Sequence, residues 1–168
     1  MNKQIQRIRG DRVWKYGGAV MALGLIVGTV VNSIKPLSPR AYNSFFAFEC
    51  LIEVTVGYIS ASRYTQGLIA AALSAAKAAL VGIAPELALG LLWAMKLIHP
   101  TILDINGIPR VIGNGVVDLC IRSGADVSPG HALLVVPVAV ISGLAAGLIG
   151  GLIGGRGERT FESRYRCE

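Results

Sequence analysis

Three ionisable residues sit inside apolar runs, where a membrane-embedded chain has least room for charge: Glu49, Glu53 and Lys77. Glu49 and Glu53 are four residues apart and so share one helix face. The two runs are joined by a short polar link, Ser60-Ala61-Ser62-Arg63-Tyr64-Thr65-Gln66. With Arg63 and Gly67 at one water boundary, Glu53 comes ten residues before Arg63 and Lys77 ten after Gly67. At 1.5 Å per residue each then lies about 15 Å deep, near the middle of a hydrocarbon core about 30 Å thick. A charge facing lipid there costs about 2.5–3.5 kcal/mol. Glu53 and Lys77, at equal depth on adjacent antiparallel helices, are expected to pair. That leaves Glu49 one turn away as a carboxyl able to carry a proton. The arrangement suits either a site that handles protons or small cations, or an ion pair that only fixes helix register.

The composition agrees with a membrane setting. Of 168 residues, 53% are hydrophobic and 15% charged, and the mean hydropathy is +0.59. Soluble domains carry about 25% charged residues. The net charge of +6 comes from basic residues beside the ends of apolar runs. That is the distribution of a topology signal, and no nucleic-acid partner is expected from it. Cys50, Cys120 and Cys167 are widely spaced, form no CxxC and read as unrelated thiols. No HExxH, GxSxG, P-loop or dinucleotide fingerprint is present. His99, His131, Asp104, Asp118, Asp126 and Cys120 match no metal-ligand spacing. Neither an enzyme nor a bound metal or cofactor is expected.

The elements that would position these residues form an all-α fold, a polytopic transmembrane bundle of about four spans in two hairpins. The expected layout is a basic cytoplasmic tail over 1–13, one transmembrane domain over 14–156, and a cytoplasmic tail over 157–168. Trp14-Lys15-Tyr16 is an interfacial anchor. The spans cover about 16–34, 42–62, 67–84 and 132–155, with Pro36 and Pro39 in the first loop. The third apolar run is too long for a single span, and Pro85 is expected to break it, leaving 86–98 as an extension. An outer loop of about 30 residues, 99–131, holds the turn signals Asn106-Gly107 and Asn114-Gly115.

The last span carries the strongest packing signal. Gly143, Gly147, Gly151 and Gly155 recur every four residues, and beside them run Ser142, Ala146, Gly150 and Gly154. Two such stripes make a flat face about 18 Å long, on which another backbone can pack closely. Gly24 and Gly28 repeat the spacing in the first span. Besides the lipid bilayer, the expected partner is a second copy or another membrane subunit. The leading functional expectation is a structural or accessory subunit of a membrane complex or homo-oligomer, in the cytoplasmic (inner) membrane, with both termini cytoplasmic. The alternatives are a small transporter or channel-like protein using Glu49, Glu53 and Lys77, and a holin-like oligomer that permeabilises membranes.

Overall fold

The computed structural model describes residues 12–34, 39–64, 67–97, 101–103, 109–111 and 128–165. Six helices carry most of them: α1 (Val13–Ile34), α2 (Pro39–Ser62), α3 (Leu68–Gly82), α4 (Ala84–Ala94), the short α5 (Pro129–Leu133) and α6 (Val135–Tyr165). Among the described residues the fold is all-helical but for one antiparallel ladder, β1 (Thr101–Leu103) against β2 (Pro109–Val111), with Ile102 opposite Arg110. This ladder lies within the expected outer loop. The last residues of that loop, 128–131, open α5, and the remainder, including Asn106-Gly107 and Asn114-Gly115, lies outside the described residues, as do the expected tail residues 1–11 and 166–168.

Proline sets two of the breaks. α3 and α4 meet at Ile83 with a bend of 43°. Pro85 has no N–H for the Val81 carbonyl, and its ring crowds that turn. Pro137 does the same to Leu133, where α5 gives way to α6; Val138 N–H reaches Leu134 O only at 3.5 Å. The end of α4 needs no proline. Lys96 takes the left-handed conformation, φ 59°, its N–H donates to Trp93 O at 2.8 Å, and Leu97 N–H donates to Leu92 O at 2.9 Å. These are the two bonds of a Schellman cap, closed here by a lysine in the position glycine usually takes. At the start of α5, Ser128 N–H donates to His131 Nδ1 at 3.1 Å. His131 is thus a capping residue. α6 runs on to Tyr165, so most of the expected tail 157–168 continues the helix.

Two helical segments are long and apolar enough to cross a membrane, Val13–Val31 and Pro129–Gly155, or three if the bent pair α3–α4 counts as one span. The distribution of side-chain sizes is the reverse of a soluble core. The buried residues of α3 are Ala71, Ala72, Ser74, Ala75, Ala76, Ala78, Ala79 and Gly82. Outside stand Ile69 (75% exposed), Leu73, Ile141 (68%), Leu148, Ile149 and Ile153. Small residues inside let backbones close on one another, and large apolar ones outside suit a lipid solvent.

α6 lies along both α2 and α3. A methyl built on Gly143 would come 2.7 Å from Ala76 Cα, and one on Gly147 would come 2.7 Å from Ala72 Cα. On Gly151 it would meet the Ala71 methyl at 3.2 Å. The second stripe faces α2: Gly150 abuts the Val54 carbonyl, and a methyl on Gly154 would lie 2.8 Å from Tyr58 O. At the crossing, a methyl on Gly57 would sit 2.8 Å from Gly147 Cα. Most of the glycine-lined face is thus covered inside the chain by α2 and α3. Gly155 has nothing within 4 Å, and Gly24 packs against the Phe48 ring of α2. Gly28 is buried on α1.

These contacts predict unequal responses along one helix. Gly147→Ala meets backbone that cannot step aside, and is expected to cost about 1–3 kcal/mol. Gly155→Ala is expected to be neutral or to gain up to about 1 kcal/mol in helix propensity. Equilibrium unfolding in detergent checks this. Equal losses at the two positions would contradict the close crossing at Gly147.

Candidate carboxylate site within the bundle

The site is built on the inward face of α2. Glu49, Glu53 and Ser60 recur at intervals of four and seven residues, which align on a helix. Glu53 is only 3% exposed. Its Oε2 accepts a hydrogen bond of 2.8 Å from the Ser142 hydroxyl of α6. Ser142 belongs to the small-residue stripe that seats α6 on α2, so the packing that closes the bundle also brings the donor to the acid.

Lys77 is not part of this contact, and the expected Glu53–Lys77 ion pair is corrected. The two residues do share a level. Ser142 bonds Glu53 while its neighbour Gly143 packs on Ala76, the residue before Lys77. Their faces differ. α3 gives Ala75 and Ala78 to the cluster around Val56 of α2. A helix turns about 100° per residue, so those two positions inward put Lys77 outward. Its side chain is exposed. Depth along the helices follows from counting residues, but rotation about them is set by which alanines pack.

Glu49 is half-buried one turn before Glu53. Glu86 is half-buried in the first turn of α4, within electrostatic range of Glu49. Cys50 is half-exposed beside Glu49 and faces the same Ser142 hydroxyl. The Ser60 hydroxyl is fully buried and has no hydrogen-bond partner among the described residues. It sits two turns from Glu53 on the same face, about 10 Å along the axis.

Among the described residues, no group of three His, Cys, Asp or Glu side chains converges as metal ligands. His99, Asp104, Asp118, Cys120 and Asp126 lie outside the described residues. The chain matches no family model, no curated protein and no solved structure. The site has therefore to be read from its own geometry.

A carboxyl this enclosed, bonded to a hydroxyl and not to an ammonium, is not stabilised by a counter-charge. Burial of a full negative charge in such a place costs several kcal/mol, which a proton or a small bound cation offsets. The bonding pattern predicts the outcome of two double-mutant cycles. Glu53→Gln with Ser142→Ala is expected to show a coupling of about 0.5–1.5 kcal/mol, the usual size for a hydrogen bond. Glu53→Gln with Lys77→Ala is expected to be additive within about 0.5 kcal/mol. A strong coupling in the second cycle would restore the ion pair.

Proposed function

We propose that this is a small membrane protein of about four spans that takes up and releases a proton or small monovalent cation at Glu53. The observation that carries the reading is Glu53 itself: 3% exposed, inside a helical bundle, with the Ser142 hydroxyl as its hydrogen-bond partner. The fully buried hydroxyl of Ser60, unpartnered among the described residues, adds a polar group on the way from Glu53 toward the Arg63 end of α2. Glu49 and Glu86 extend the polar series past Glu53 in the other direction.

In this reading Glu53 is the exchanging group, Ser142 orients its carboxyl, and Glu49 with Glu86 forms the approach from the opposite side. Lys77 has no part in it. The accessory-subunit expectation rests on the glycine-lined face and the absence of catalytic motifs; within the chain, α2 and α3 pack against most of that face.

The test is flux from liposomes containing the full chain, followed with a pH-sensitive dye and with a cation-selective one. Wild type is expected to dissipate an imposed gradient, and Glu53→Gln to reduce the rate at least tenfold while unfolding as wild type does. Lys77→Ala is expected to leave the rate unchanged. A hydrophobic carbodiimide, which reacts with protonated carboxyls shielded from water, is expected to modify Glu53. Flux retained by Glu53→Gln, or no flux from well-folded wild type under either gradient, would overturn the reading.

A further inference from the structure

We propose that the outer groove between α1 and α3 binds the phosphate of an anionic phospholipid, held between the ammonium groups of Lys15 and Lys77. α1 runs parallel to α3, with Gly17 beside Ala78, Gly18 beside Val81 and Met21 beside Gly82. Counting back from these contacts puts Lys15 level with Lys77 to within about one turn. The start of α1 is pinned there, because Val13 and Trp14 pack on the cluster of Val56, Ala75 and Ala78.

Both lysines rim the same groove. Lys15 Nζ lies 5.5 Å from the centre of the Trp14 ring, and that ring packs toward α3. A cation over an aromatic face is held in place, so the Lys15 charge stays at the groove. On α3, Lys77 is exposed on the flank that includes Val81, the residue touching Gly18. Among the described residues no carboxylate pairs with Lys77. Leu73 and Leu80 stand exposed one turn to either side of it, and Val81 is exposed beside Gly18 of α1.

Two ammonium groups at one level, from adjacent helices, on a surface otherwise made of Leu and Val, fit one ligand chemistry. A phosphate accepts from both lysines, and acyl chains cover the apolar side chains beside them. A soluble phosphate gains nothing from that apolar rim, so the lipid is the source the surface favours. The pairing also removes the cost of an uncompensated lysine facing hydrocarbon. The lipid site is independent of any exchange at Glu53.

The experiment is native mass spectrometry of the full chain released from mixed micelles of phosphatidylglycerol and phosphatidylcholine. Wild type is expected to retain one phosphatidylglycerol in preference to phosphatidylcholine. Lys77→Ala and Lys15→Ala are each expected to lower that preference about fivefold, the equivalent of about 1 kcal/mol per basic residue near an anionic headgroup. Lys77→Arg is expected to keep it. Circular dichroism of each variant, with Lys96→Ala as a basic residue outside the groove, separates loss of the site from loss of the fold. An absent preference in wild type, a preference surviving in the double Lys15→Ala, Lys77→Ala variant, or displacement of the lipid by glycerol phosphate would overturn the proposal.

Discussion

The structure depends on one constraint: three helices must pass within backbone contact of one another at Gly147. Gly57 of α2 lies on one side of it and Ala72 of α3 on the other, with no side chain larger than a methyl between them. In lipid the hydrophobic effect does not drive helices together, so association comes from van der Waals contact over a matched surface. Glycine and alanine maximise that surface because they remove the bulk that holds helices apart. The cost is helix propensity, about 1 kcal/mol per glycine relative to alanine in water. The run Gly143–Gly155 is tolerable because most of its glycines meet a neighbouring helix within the same chain.

The carboxylate site follows from this closeness. Where α6 touches α2, the space left is that of a hydroxyl, and Ser142 fills it against Glu53. A lysine stem needs a gap several methylenes deep, which an Ala and Gly interface does not leave. α3 could therefore not present Lys77 to Glu53 without parting from both α2 and α6. An acid enclosed by small residues and given a single hydroxyl donor is neutralised by a proton or small cation more readily than by a side chain.

Much of the architecture was legible in the order of residues. The four-residue recurrence in α6 marks a packing face, and Pro85 marks the bend between α3 and α4. What eluded the sequence was rotation. Glu53 and Lys77 sit at one level, as counting residues implies, but the alanines at 75 and 78 turn α3 so that the lysine looks outward. Both stripes of α6 were visible, while their partners were not, because any small-residue surface accepts any other. The cap on α4 leaves almost no trace, since Lys96 stands where glycine would have signalled the turn.

The register of α1 changes what depth means in this bundle. If all helices entered the membrane at one level, the anchor Trp14-Lys15-Tyr16 would lie beside Arg63 and Gly67. It lies instead beside Ala75 and Ala78, about ten residues further along α3. On α6, exposed apolar side chains continue past that level through Leu148, Ile149, Leu152 and Ile153. An upright bundle would then bury the anchor or strand the end of α6 in water. The segment Pro129–Gly155 has 27 residues. It is about 40 Å long, some 10 Å more than the hydrocarbon core, and tilting is the ordinary way for such a segment to fit. At one level of the bundle, Lys77 faces outward beside the α1 anchor, while Glu53 faces inward, enclosed by the alanines and glycines that hold the helices together.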